Sequence, residues 1–309
     1  MSWNEANLHR HIGSWPRPGV LLGSALSDGA ALRRLRGSPV VCSDQVIGGV
    51  HVELDAPPAA IGRKAAARAL SDLAASVARP RAIEACLRAP RETSERWIVA
   101  LLAGLRREAE RHGAALVGGD LAAAPGPFGV AVTALGEFLG PGRPPGRDRL
   151  RAGQAVILTG PVGGSLLGRH LRIEPRFRAG QALFAAGARA LMDVSDGLAL
   201  DLSRLARASG LGIQLEAVPI HRDARRRASA SGRTALDHAL TDGEDHELIA
   251  GLPPSKAERL LRGGLPDCPG ALRIGTVIAR PGLWLRFPGE RPRRWSGPGG
   301  YVHGEEPPR

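Results

Sequence analysis

The chain is poor in aromatic residues, in lysine and in cysteine, and it has no long apolar run. Aromatics make up 4% of its 309 residues, and Tyr301 is the one tyrosine. The stacking platforms on which RNA-binding proteins lay bases are therefore missing. The core must rest on Ala, Val, Leu and Ile. Lysine occurs twice, at Lys64 and Lys256, so nearly all of the 42 basic residues are arginine. Cys42, Cys86 and Cys268 are scattered and form no C-x-x-C pair, so neither a zinc site nor a disulfide framework is indicated. No stretch approaches the ~20 apolar residues of a membrane-spanning helix. The first residues, MSWNEANLHRHIGSW, contain no apolar signal segment. These absences predict a soluble, cytoplasmic protein with no membrane partner.

The net charge is +12. Such a balance fits a nucleic-acid or membrane-surface partner. The arginines, however, are spread along the chain in small runs such as Arg225-Arg226-Arg227, and Ala, Gly and Pro are abundant. The charge therefore reads as the bias of a GC-rich genome, and a nucleic-acid partner is not expected.

What is present is a set of carboxylates placed just after short apolar runs. They end PVVCSD at Asp44 and ALVGGD at Asp120, and they recur in ALMDVSDG (Asp193, Ser195, Asp196) and TDGEDHEL (Asp242, Glu244, Asp245). Singly, an Asp after a strand is usually a turn residue or a helix cap. Buried carboxylates, however, need pairing, hydrogen bonds or a cation. Several at strand ends suggest a site for Mg²⁺, which is commonly shared with substrate phosphates. DVSDG also precedes a helix, whose first amides favour phosphate. The turn TGPVGGSLLG, Thr159 to Gly168, has the strand-to-helix setting of a phosphate cradle. It is neither a Walker A motif nor a G-x-G-x-x-G fingerprint. His51 in IGGVH is a candidate phosphate or hydroxyl contact. No Ser-His-Asp order, HExxH or HRD loop supplies a dedicated catalytic base.

Periodicity divides the chain into α/β halves. Strands are expected at 39–43, 114–117 and 128–135, and helices at 62–77 and 94–112, with Gly113 as the stop. A Pro/Gly-rich linker, 139–153, separates domains 1–138 and 154–309. The second half predicts strands at 155–159, 213–215, 274–278 and 283–287. It also predicts a helix after the glycine turn, one after SDG, and one opened by a Ser255–Glu258 capping box.

In order, CSDQVIGGVH, GRKAAARALSDLAA, LVGGD, LTGPVGGSLLG, LMDVSDGLALDL, DGEDHEL and GGYVH resemble the thiamine-monophosphate kinase family of the AIR-synthase-like superfamily. Together they span about Gly23 to His303. The resemblance implies a two-domain α/β fold whose N-terminal mixed-sheet domains pair in a homodimer, with an α/β C-terminal domain. It implies ATP-dependent phosphorylation of thiamine monophosphate to thiamine diphosphate, by direct in-line transfer assisted by several Mg²⁺ ions. The metal ligands it implies are Asp28, Ser43, Asp44, Asp72, Asp120, Asp193 and Asp196. Gly119, Asp120, Arg147 and Ser195 would meet ATP, and His51, Glu244 and Tyr301 would meet thiamine phosphate. The attacking atom is already an anionic phosphate oxygen, so no strong base is needed.

The chain departs from the family at four places. Gly29 stands at the second Asp of G-D-D-x-A, Ala69 where an Asn precedes L-S-D, Asp242 at the first Gly of G-G-E-D, and Cys42 where a hydroxyl or small residue is common. These departures keep two other readings open. One is an impaired paralogue that binds thiamine phosphate or nucleotide. The other is an ATP-using relative with a different substrate.

Overall fold

The computed structural model describes residues 8, 15, 20–22, 30–32, 35–296 and 299–301. Asp28 and Gly29 lie outside the described residues. Two compact units divide the chain. Among the described residues, the first holds those up to Leu73, Ala78–Pro141 and Leu171–Ile173, and the second holds the rest. The main change of unit falls between Pro141 and Gly142, inside the Pro/Gly-rich stretch. No helix among the described residues is long and apolar enough to cross a membrane.

The first unit opens with a hairpin, β1 (Val20–Leu22) and β2 (Ala31–Leu32). There follow β3 (Ser38–Ile47), α1 (Pro58–Ala75), β4 (Ala78–Ala89), α2 (Glu95–Arg111), β5 (Ala115–Ala123) and β6 (Gly129–Phe138). The four long strands form one sheet in the order β3-β6-β4-β5, with β4 and β5 parallel and the other pairs antiparallel. Ser94 caps α2 by accepting the Trp97 amide at 3.2 Å, and Ile98, Leu101, Leu102 and Leu105 form its buried stripe. In α1, small Ala65, Ala66 and Ala69 are buried beside Leu70 and Leu73. The two helices touch backbone to backbone. A Cβ on Gly62 would overlap the Leu101 carbonyl, and one on Gly104 would overlap that of Ala59. On the sheet, Ala82, Ala115 and Val117 pack with Val20 and Leu32 of the hairpin.

The sequence reading left out β4, the longest strand. Its ARPRAIEACLRA is rich in Ala and charge, and Pro80 argues against an interior strand. A register shift between Pro80 and Ala82 accommodates the proline. The buried–exposed alternation from Ala85 to Ala89 is the strand signal that composition hides.

The second unit holds β7 (Ala155–Leu158), α3 (Phe177–Ala185), β8 (Ala190–Asp193), α4 (Leu198–Ala208), β9 (Gly212–Leu215), α5 (Arg222–Ser231), α6 (Ala235–Thr241), β10 (Leu248–Leu252), α7 (Pro254–Gly263), β11 (Leu272–Ile278), β12 (Gly282–Leu285) and β13 (Arg293–Arg294). Its seven-stranded sheet runs β13-β12-β9-β11-β7-β10-β8, parallel only between β12 and β9. Both faces are covered. Val156, Leu158 and Ile249 enter one core with α4, while Ala155, Ile157, Leu248 and Ala250 enter another with α3 and α7. Two expectations are corrected here. The glycine turn leads into short 3-10 turns at Ser165–Leu167 and Arg169–Arg172, because Gly164 and Gly168 sit in left-handed backbone on either side of the first. Ser255 does not cap α7, which starts at Pro254 with no side-chain cap. The capping box belongs to α6, where Thr234 and Asp237 bond each other's amides.

Candidate active site

In the second unit, β8 ends at Asp193 and α4 starts at Leu198, so Ser195 and Asp196 occupy the turn between them. Asp201, in the first turn of α4, accepts the amides of Ser195 and Asp196, each at 3.0 Å. Arg204 pairs with Asp196 and, at 2.9 Å, with Asp201. Asp201 is fully buried. Burial, together with the neighbouring carboxylates of Asp196 and Asp193, pushes its pKa up to about 7 against the Asp196 amide and Arg204. Sequence reasoning missed both Asp201 and Arg204. The D-G-L-x-x-D spacing was their signal.

The loop from Asp242 to Glu247 is clamped onto this turn. Glu244 donates its amide to the Ser195 carbonyl, and His246 donates to Val194, both at 2.7 Å. Both residues sit in left-handed backbone, at φ 57° and 51°, an arrangement that costs on the order of 1–3 kcal/mol per residue. The buried His246 ring places Nδ1 at 3.0 Å from Asp193 and Nε2 at 3.5 Å from Glu244. Burial opposes its charge. The hydrogen bond to Asp193 and attraction to both carboxylates prevail and push its pKa up to about 9. Tyr301 donates its amide to the Asp196 carbonyl at 2.8 Å. Gly300 lies so close that a Cβ there would overlap the same carbonyl oxygen. The structure thus brings together Asp193, Ser195, Asp196, Glu244 and Tyr301.

The glycine turn is not an open phosphate cradle. Gly163 gives its amide to both oxygens of Asp245 at 3.0 Å, and Gly164 gives its own to Asp242 at 2.9 Å. Asp245 is also held by Arg169 at 2.7 Å, and burial still pushes its pKa up to about 7. Glu247 binds Thr159 and Arg176. Asp242, Asp245 and Glu247 therefore fasten the loop to the glycine turn. Arg147 sits apart from this group. Its carbonyl accepts Ser209 at the far end of α4, about 15 Å along the helix from the Ser195 turn.

In the first unit, Asp44 forms a two-pronged pair with Arg68, at 2.8 and 2.9 Å. Asp72 lies one turn beyond Arg68 on α1. Ser43 points to the other sheet face, where its hydroxyl meets Thr133 at 2.6 Å. Asp120 and Gly119 are exposed on β5, the opposite edge from β3. The register Asp44–Val132–Ala85–Gly119 spans three strand spacings, about 14 Å. Asp44 and Asp120 therefore do not share one cation within this unit. His51 is buried, with Nδ1 accepting the Ile47 amide at 3.1 Å and its carbonyl accepting the buried Lys64 Nζ at 2.6 Å. A pocket of about 680 Å³ adjoins this turn, lined by Gly48, Gly49, Val50, Trp97 and Phe128 among others. Its aromatic walls went unread in the sequence.

Among the described residues, no group of three or more His, Cys, Asp or Glu side chains gathers as a closed metal site. Asp193 and Asp196 are hard oxygen donors flanking one turn. That donor set suits Mg²⁺, which typically takes one or two carboxylates and completes its shell with water and substrate phosphate.

Comparison with known proteins bears on this site. The model of the AIR synthase related protein, N-terminal domain, matches residues 27–138. The chain is 38% identical to a thiamine-monophosphate kinase of Rhodopirellula baltica over 94% of its own length and 88% of that protein's. A crystal structure of thiamine-monophosphate kinase from Stenotrophomonas maltophilia K279a superposes with a TM-score of 0.76 at 31% identity, covering 94% of this chain and 98% of that one. A structure of AaThiL complexed with AMPPCP and TMP shares the fold at a TM-score of 0.73 and 23% identity, covering 94% and 95%.

Proposed function

The chain belongs to the thiamine-monophosphate kinase family, and we propose that it phosphorylates thiamine monophosphate with ATP to give thiamine diphosphate. It is a kinase whose acceptor is itself a phosphate, working in thiamine biosynthesis. The observation that carries this reading is the gathering of Asp193, Ser195, Asp196, Glu244 and Tyr301 around the start of α4.

In this reading Asp193 and Asp196 hold Mg²⁺ in the second unit, while Asp44, Asp72 and Asp120, with Asp28 and Ser43, do so for the first. Held by these carboxylates, Mg²⁺ would supply charge neutralisation for the phosphate oxygens of both substrates. Asp201 holds the Ser195 turn by its amide, so that Ser195 can present its hydroxyl to ATP. The resemblance assigns Arg147 and Gly119 to ATP as well, although Arg147 stands at the far end of α4 from the Ser195 turn. The resemblance assigns Glu244, Tyr301 and His51 to the thiamine side, and the apolar pocket beside the His51 turn supports the assignment of His51. A phosphate monoester near neutrality carries its own negative oxygen, so no residue has to remove a proton. The Arg68 guanidinium occupies the Asp44 carboxylate and must yield when that carboxylate takes a cation. The working form is a cytoplasmic homodimer paired through the first unit.

The test is purified protein with ATP, Mg²⁺ and thiamine monophosphate, followed by chromatography. Thiamine diphosphate is the expected product. Saturable binding of both ligands without product would instead make the chain a binding protein, the reading that Gly29 favours. In that case Gly29→Asp should restore turnover.

A further inference from the structure

We propose that His246 is a positioning residue, a rigid link that sets the carboxylate of Glu244 relative to the carboxylate of Asp193. The inference rests on the kinase reading, from which the thiamine-phosphate role of Glu244 and the cation role of Asp193 come. The ring is 1% exposed. Its Nδ1 lies 3.0 Å from Asp193 Oδ2 and its Nε2 lies 3.5 Å from Glu244 Oε2. Nε2 meets no hydrogen-bond partner, so Glu244 is the group it faces. A planar five-membered ring cannot bend, and a displacement of either carboxylate is passed to the other.

The backbone enforces the same link. The amides of Glu244 and His246 are fixed to the carbonyls of Ser195 and Val194. Both residues hold positive φ although each carries a side chain, a conformation that persists only where the surroundings over-determine it. A histidine needed only for packing would be satisfied by Asp193 alone. The second nitrogen aimed at a partly exposed carboxylate, 14% accessible, is what the structural role leaves over. The expected consequence is that thiamine phosphate and the cation sense each other through one side chain in neither site.

Two replacements separate the halves of the link. In His246→Asn the amide nitrogen stands near the position of Nδ1, and in His246→Gln near that of Nε2. His246→Asn should keep the Asp193 bond and raise the KM for thiamine monophosphate about tenfold, as expected for losing one interaction with a charged group. The KM for ATP should stay within about twofold. His246→Gln should instead raise the half-saturating Mn²⁺ concentration about tenfold, read from the electron paramagnetic resonance of free Mn²⁺ with a non-hydrolysable ATP analogue. Equilibrium dialysis of thiamine monophosphate gives the matching readout without turnover. The crossed pattern supports the link. Equal losses in both variants, no loss in either, or a lowered melting temperature with all binding constants unchanged overturns it. Wild-type protein that makes no thiamine diphosphate would sink the kinase reading. The dialysis and Mn²⁺ titrations would still decide the role of His246.

Discussion

At the residue scale, the site was legible where chemistry sits in a short, small-residue turn. Asp193, Ser195, Asp196 and Glu244 stand within two motifs, and the structure brings those motifs together. Residues that act from behind the turn were not legible. Asp201 and Arg204 hold the Ser195 turn from the helix that follows it, and His246 reads as one more polar residue in DGEDHEL. Their roles depend on which atoms fold against them. Asp120→Asn and Asp196→Asn should each abolish turnover while changing the melting temperature little, because Asp120 is exposed and Asp196, though paired with Arg204, is only half-buried. Steady-state assay with calorimetry checks this, and full activity in both variants would remove the metal assignment. Asp201→Asn acts differently. An amide offers one acceptor oxygen in place of two and no charge for Arg204, so the Ser195 turn loosens. The expected result is about a hundredfold fall in kcat, the size typical of a small misplacement of reacting groups. A variant within threefold of wild type would show that the turn holds without Asp201.

At the scale of elements, an element was legible where its buried face shows as a stripe of large apolar residues. The stripe Ile98, Leu101, Leu102, Leu105 marks α2 because a helix surface has one buried face. β4 was hidden because its interior is Ala, with Pro80 and arginines between, and only pairing with both β5 and β6 makes it a strand. The crossing of α1 on α2 was equally invisible, since a glycine within a helix ordinarily signals only lost stability. Gly104→Ala should destabilise the protein by about 1–3 kcal/mol, as overpacking does, despite the higher helix propensity of alanine. Denaturant unfolding measures it, and a more stable variant would show that the helices separate freely. Thr234→Ala removes the α6 capping box and should cost about 1 kcal/mol. The Thr234 hydroxyl, helped by the Thr234 amide and opposed by burial, holds the Asp237 carboxyl below its ordinary value. A lowered carboxyl contributes stability that is present above its unfolded value of 3.8 and lost as pH falls through the folded one. The melting difference between wild type and Thr234→Ala should therefore be constant near neutrality and shrink below about pH 4. A difference that persists at pH 2 would assign it to packing.

At the scale of the whole molecule, the two sheets differ in how they are covered. The second unit's sheet sends alternate residues into cores on both faces. Among the described residues, part of one face of the first unit's sheet is exposed. Val41 is 64% exposed on β3, and beside it lies a depression of about 220 Å³ lined by Leu32, Ile83, Val117 and Leu135 among others. β3 is also an edge strand, and an exposed edge strand with an apolar face is a site for pairing. The net charge of +12 would by itself keep copies apart, so association has to be driven by such a local apolar face. The family resemblance implies that first units pair in a homodimer without saying through which face, and this exposed apolar face is where the pairing can be tested. Sedimentation equilibrium should give a mass twice the 32.4 kDa of one chain. Val41→Glu, which places like charges opposite each other at a twofold interface, should give single chains with an unchanged melting profile for the second unit. Wild-type protein of single-chain mass, or a Val41→Glu variant that still pairs, would move the interface elsewhere. The exposed face would then have to be explained by something other than a second copy.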